Sequence, residues 1–330
     1  MIDGHGDDTY AYGNIRLNFS SNVPAFADLS VLEDYLRIHV SKIRSYPEPS
    51  PCRLEEEIAG KIGRTPAEVL VTSGATEAIY LIAHCFSQLL SQKERTYTVV
   101  HPTFSEYDSA CLMFGMTAAQ RGEICWICNP NNPTGKVWEK SFVRELAQSH
   151  RFLIIDQSYE DYTLESLSDM SGADNVIVLH SMTKKYGVPG LRLGYITAPS
   201  SIIERLRSFC HPWAVNSLAI EAGLWLVRNN PQWVDITSYL QEAQNLCGAL
   251  NEIPGIQADP TQTNFMLCTV QGITSAVLKE YLAYNYGILI RDASNFPGLT
   301  PHHFRVAAQL PEEDKELINA IAQCQSSIIQ

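Results

Sequence analysis

The 330-residue chain is short of positive charge. Its 24 Lys and Arg stand against 36 Asp and Glu, giving a formal net charge of -12 and a pI near 5.2. General binders of nucleic acid or of anionic membranes carry the opposite sign, so neither is expected as a partner. A small anionic substrate is still compatible, because one cleft can be locally positive. No apolar run approaches the length of a membrane span, and the opening MIDGHGDDTYAYGN has no basic segment followed by an apolar one. The nine cysteines are odd in number and follow no framework spacing, which suits the reduced thiols of a cytoplasmic protein. The one C-x-x-C, Cys125 and Cys128 in EICWIC, lies on a strand-like run that turns the two thiols to opposite faces. No second ligand pair accompanies it, so no metal or redox centre is expected. No low-complexity tract and no repeat of 20–50 residues is apparent, which argues against disorder and against a solenoid.

What is present is apolar. A 45% apolar composition over this length supplies a large core and more than one domain. Helical patterns such as RLEEEIAGKIG and ATEAIYLIAHCFSQLL alternate with short strand-like runs: EVLVT, TYTVV, EICWIC, FLIID, NVIVLH and LRLGYITAP. Continuous apolar strands separated by helices predict an α/β fold whose mostly parallel sheet is covered on both faces. Beyond about residue 210 long helices dominate, with a few strands (TNFMLCT, GILIRD, HFRVAA) and a closing helix. The expected organisation is therefore a segment 1–40 packing with the small domain, a large domain 41–212, and a smaller α+β region 213–330.

Four polar clusters follow predicted strands, and ligands of such sheets sit at the carboxyl ends of strands. Ser73, Gly74, Ala75 and Thr76 open a helix; they form either an ordinary cap or a cradle of backbone N–H groups for a phosphate. NPNNPTG, residues 129–135, is a turn by composition, yet a turn does not call for three asparagines. Asp156 ends FLIID, with Tyr159 three residues on. It caps a helix or holds a protonated heterocyclic nitrogen, because an unpartnered carboxylate there would be costly. SMTKKYGVPGLRLGY places Ser181, Thr183, Lys184 and Lys185 after a strand and Arg192 eight residues beyond Lys184. The lysines are either solvated, or one is desolvated beside other cations and becomes a nucleophilic amine.

Together the four clusters resemble, in order and over nearly the whole chain, the fold-type I pyridoxal-phosphate enzymes of the class I/II aminotransferase branch. The resemblance implies that Lys184, directly after the hydroxyl of the S-x-[ST]-K pattern, bonds the cofactor, while Lys185 points away. It implies that Asp156 pairs with the pyridine nitrogen and that Asn132 and Tyr159 bond the ring hydroxyl. Gly74, Ala75, Thr76, Ser181, Thr183 and Arg192 surround the cofactor phosphate, and Phe104 of HPTFSEY stacks on the ring. Tyr46 of SYPEP would reach the phosphate of a neighbouring subunit, making the active unit a homodimer. Arg305 and Asn22 match the residues that hold a substrate carboxylate.

Three further stretches resemble one subgroup, the L-threonine O-3-phosphate decarboxylases of cobalamin biosynthesis: GHGDDTYAYG, HPWAVNSLAIEAG and GILIRDASNFPGL. That implies a phosphorylated amino-acid substrate, with His5, Gly6 and Arg291 at its phosphate and (R)-1-amino-2-propanol O-2-phosphate as product. Asn216 either meets the carboxylate or caps a helix. Two positions depart from the subgroup pattern, Asp7 in place of a glycine and Gln309 in place of an arginine, and both are expected to lower the positive charge around the substrate. The competing expectations are a histidinol-phosphate aminotransferase and, in another class, a catalytically inactive binding protein of the same fold. Lys184 and Asp156 are both present and no basic helix-turn-helix is appended, which disfavours the last.

Overall fold

The computed structural model of the protein describes residues 6–165, 170 and 173–329. The chain opens with strand β1 (Leu17–Asn18) and helix α1 (Ser30–His39), followed by α2 (Cys52–Ile62), which ends on Gly63 in the left-handed conformation. Then come β2 (Val69–Thr72), α3 (Gly74–Leu89), β3 (Thr96–Val99), α4 (Glu106–Met113), β4 (Thr117–Ala118), β5 (Ile124–Cys128), α5 (Lys140–Ser149), β6 (Phe152–Asp156) and β7 (Val176–His180). A one-turn helix α6 (Met182–Lys185) leads into β8 (Gly194–Thr197) and α7 (Ser200–Arg207). These seven strands form one sheet in the order β2-β8-β7-β6-β5-β3-β4.

The sheet is parallel from β4 to β7, and β8 runs antiparallel to both its neighbours. Only the 13 residues 181–193 join β7 to β8, and they hold no crossover helix long enough to bring the chain back parallel. The strand β5 reads as an unbroken apolar run because helices cover both of its faces. Cys125 and Ile127 pack with Val143 and Ala147 of α5, while Trp126 and Cys128 pack with Ile79, Ile82 and Phe86 of α3. The two thiols of the C-x-x-C thus lie on opposite sides of the sheet.

The remaining elements are α8 (Ser217–Asn229), α9 (Ile236–Asn251), β9 (Ile256–Ala258), β10 (Phe265–Val270), α10 (Ser275–Tyr286), β11 (Ile288–Leu289), β12 (Arg291–Asp292), β13 (His303–Ala307) and α11 (Pro311–Ile329). A second, antiparallel sheet has the order β12-β13-β10-β9, and β11 pairs in parallel with β1. Helix α8 packs in one core with α2 and β2, whereas α9 and α11 bury Leu246, Leu250, Leu317 and Ile321 against the small sheet. No helix among the described residues is long and apolar enough to cross a membrane.

Candidate active site

In the parallel register Cys128 lies beside Asp156, and Asp156 beside Leu179, so the segments that follow β5, β6 and β7 emerge along one edge of the sheet. Two antiparallel steps bring β2 to the same direction as β7, which adds the start of α3 to that edge. The result is a cleft of about 590 Å³. From the large sheet it is lined by Ala75, Thr76, Phe104, Tyr107, Asn132, Asp156, Tyr159, Ser181, Thr183, Lys184 and Arg192. From the other side come Gly6, Asp7, Ser20, Ser21, Arg291 and Arg305.

The lysine turn is held from both ends. The Ser181 hydroxyl accepts the Lys184 backbone N–H at 3.3 Å, and the Tyr162 hydroxyl donates to the Lys184 carbonyl at 2.6 Å. The Lys184 Nζ donates to the Ser21 carbonyl at 2.7 Å. Burial, then the Arg305 and Arg192 guanidiniums, lower its ammonium to about 8, against an opposing contribution from Asp7. Lys185 faces the other way and pairs with Asp161 Oδ1 at 2.7 Å. Of the two adjacent ammonium groups, one lies in the cleft and the other in a surface ion pair.

Asp156 is buried but not unpartnered. Its Oδ2 accepts the Tyr107 hydroxyl at 2.7 Å and its Oδ1 the Ser158 N–H at 2.9 Å. Burial, opposed by Arg305, pushes the Tyr159 phenol up to about 12, and Asn22 Nδ2 donates to its oxygen at 3.4 Å. Gly74 has φ +83°, and a Cβ there would sit 2.9 Å from Arg192 Nη2. Glycine therefore lets the arginine close on the first turn of α3, whose N–H groups lack helical partners.

At the opposite end of the cleft the small sheet does something costly. Arg291 and Arg305 are register partners on β12 and β13, and each is only 4% exposed. Like charges directly opposite each other destabilise a ladder. Burial lowers both guanidiniums to about 10, with Arg305 adding to the effect on Arg291. Arg305 donates from Nη1 to Asn132 Oδ1 and from Nη2 to the Ser20 carbonyl, while its Nε is buried with no partner. Arg291 donates to Asn295 Oδ1 at 2.7 Å. Gly6 lies so close that a Cβ there would meet the Ser20 carbonyl at 2.6 Å and Arg291 Cδ at 3.5 Å. Beside it Asp7, at φ +63°, donates its N–H to Ser20 Oγ at 2.8 Å and accepts Asn18 Nδ2 at 2.6 Å.

Several singled-out residues fall elsewhere. His5 lies outside the described residues. Tyr46 is 83% exposed, against Trp213 at 5.1 Å between ring centroids, and does not line the cleft of its own chain. The Thr183 hydroxyl donates to the Leu193 carbonyl at 3.3 Å. Asn216 caps α8 by accepting the Ala219 N–H at 2.9 Å. Gln309 is a correction. Its buried side chain accepts the Ala25 N–H at 2.9 Å and donates to the Val23 carbonyl at 3.3 Å, so it ties two segments together behind the cleft. Sequence reasoning also missed Tyr107 and the carbonyls of Ser20 and Ser21. The signal for Tyr107 was its place three residues after Phe104, whose ring it meets edge-on.

An α/β sheet with a lysine, a buried carboxylate and cation-lined ends at its strand termini defines the class of pyridoxal-phosphate enzymes. Residues 116–321 match the family model for aminotransferase class I and II, and the chain belongs to that family. The solved L-threonine-O-3-phosphate decarboxylase of Porphyromonas gingivalis is 33% identical, with a TM-score of 0.88 over 94% of this chain and 99% of that one. The threonine-phosphate decarboxylase of Salmonella typhimurium is 26% identical over 92% of this chain and 90% of its own. The histidinol-phosphate aminotransferase of Thermoanaerobacter pseudethanolicus is 28% identical over 85% and 84%.

The cofactor is pyridoxal phosphate, and the residues present fit it. A cradle that a Cβ would fill lies between Gly74 and Arg192, a carboxylate with free lone pairs lies at the end of β6, and the Lys184 amine is lowered in the same cleft.

Proposed function

We propose that the protein decarboxylates L-threonine O-3-phosphate to (R)-1-amino-2-propanol O-2-phosphate. The observation that carries this reading is the buried pair Arg291 and Arg305. Arg192 and the start of α3 suffice for the cofactor phosphate, and one arginine suffices for an α-carboxylate. A second buried arginine on the adjacent strand asks for a second anion on the substrate. The decarboxylase relatives and the position of Gly6 against Arg291 support that choice.

Bound pyridoxal phosphate supplies an electron sink for the pair left when a bond to the substrate Cα breaks. The residues of the chain decide which bond that is. Arg305 holds the carboxylate, and Arg291 with the Gly6 backbone holds the substrate phosphate at the far end. Fixing both anions would decide which bond to Cα is presented to that electron sink. Asp156 keeps a proton on the ring nitrogen, which stabilises the negative charge as it develops. Lys184 then returns a proton to Cα in place of the CO2 that leaves. Asp7 places a carboxylate near the phosphate and weakens its hold. The second reading, amino transfer from histidinol phosphate, is favoured by relatives of similar identity; that substrate has a single anion, its phosphate, which the two arginines would share, with Lys184 moving the Cα proton.

Arg291→Gln tests the assignment of the second anion. The KM for L-threonine O-3-phosphate should rise roughly 10- to 100-fold, as expected for a lost charge-assisted bond, while that for unphosphorylated L-threonine stays constant. Equal effects on both substrates would remove Arg291 from the phosphate.

A further inference from the structure

Asp156 does not face the cleft alone. Tyr107, on the first turn of α4, is 1% exposed and donates its hydroxyl to Asp156 Oδ2 at 2.7 Å. Its ring lies parallel to that of Trp126, with centroids 5.3 Å apart and an interplanar angle of 14°, and it meets Phe104 edge-on at 5.9 Å. The phenol is therefore clamped between a strand residue and the aromatic wall of the cleft. We propose that Tyr107 is a positioning residue, acting through Asp156 to keep the proton on the ring nitrogen of the cofactor. The proposal rests on the reading of Asp156 given above.

Three observations carry it. First, Tyr107 and the Ser158 N–H occupy different oxygens of the carboxylate, which fixes its plane toward the cleft. Second, both partners are donors, and donors to a carboxylate favour its charged form. An unassisted buried carboxylate would instead draw the shared proton onto itself and leave the ring nitrogen neutral. Third, burial first, and Asp156 second, hold the Tyr107 phenol well above its ordinary range. It stays a donor throughout the working pH range and does not compete for the proton.

The test uses the full-length protein loaded with pyridoxal phosphate that carries 15N at the ring nitrogen. The 15N resonance reports the ring proton directly, without turnover. In Tyr107→Phe it should move toward the unprotonated position. In the same variant kcat should fall roughly tenfold with KM unchanged, the loss expected for one hydrogen bond to a charged group. A second substitution covers a failure of Tyr107→Phe to fold: 3-fluorotyrosine placed at 107 is nearly isosteric and a stronger donor, and it should move the resonance the opposite way. Asp156→Asn separates the two assignments. If Asp156→Asn moves the resonance but neither change at 107 does, the role of Tyr107 is overturned and that of Asp156 stands. If Asp156→Asn also leaves it unmoved, the reading of Asp156 falls and the proposal with it. A loss of thermal stability in Tyr107→Phe with an unmoved resonance would assign Tyr107 to packing alone and overturn the proposal.

Discussion

Lys184 has the chemistry of a nucleophile because of where it sits rather than because of its neighbour in sequence. Burial and two guanidiniums bring its ammonium to about 8, whereas Lys185 is raised by Asp161 despite its partial burial. Only the neutral amine can attack an aldehyde, and a lowered Lys loses its proton as pH rises. The rate at which apoprotein takes up pyridoxal phosphate should therefore climb through pH 8 and level off above it, followed by absorbance; a rise continuing past pH 10 would contradict the account. Lys184→Ala should abolish both the covalent linkage and turnover. Gly74→Ala should act on a different step. The added Cβ meets Arg192 Nη2 at 2.9 Å at a backbone angle that disfavours any side chain, so the cofactor Kd should rise roughly tenfold in a fluorescence titration. An unchanged Kd would remove Arg192 from the phosphate cradle.

At the scale of elements, the start of α11 carries a second perturbed group. Asp314 is buried, accepts the Gln309 N–H at 2.9 Å and leaves Oδ2 without a partner. Burial raises it to about 8. A raised carboxyl binds its proton more tightly when folded, so its contribution to stability is full below pH 4 and is lost as pH rises toward 8. Asp314→Asn should accordingly gain on the parent protein in urea unfolding between pH 4 and 8; parallel stability curves would show that Asp314 is not the group that titrates.

Much of this element structure was legible in the chain. Apolar runs such as ICWIC and FLIID could only be strands covered on both faces, and the polar clusters after them marked the edge that becomes the cleft. The direction of β8 was less plain, although the short span 181–193 between His180 and Gly194 already left no room for a crossover. The pairing of Arg291 with Arg305 was not legible, because a register between partners 14 positions apart is set by packing of the small sheet and not by local pattern. Leu17–Asn18 pairing with Ile288–Leu289 is hidden for the same reason, since nothing in a single sequence links its two ends. Tyr107 went unread because its partner, Asp156, stands 49 positions away.

For the molecule as a whole, the acidic net charge and the cationic cleft are compatible because the cations are buried and directed inward. Tyr46 is exposed on its own chain, and we propose a homodimer in which it completes the neighbouring site. Subunit mixing tests this. Lys184→Ala and Tyr46→Ala chains, each weakly active or inactive alone, should regain activity when unfolded and refolded together, because the hybrid has one site with both residues. If Tyr46 serves its own chain, no mixture recovers activity.

The most direct measurement takes the purified, pyridoxal-phosphate-loaded protein with L-threonine O-3-phosphate and no oxo-acid, and follows CO2. Sustained release over many turnovers, with formation of the phosphorylated amino alcohol, is the predicted result. No CO2, together with transfer of an amino group from histidinol phosphate to an added oxo-acid, would contradict the decarboxylase and leave an aminotransferase built on the same cleft.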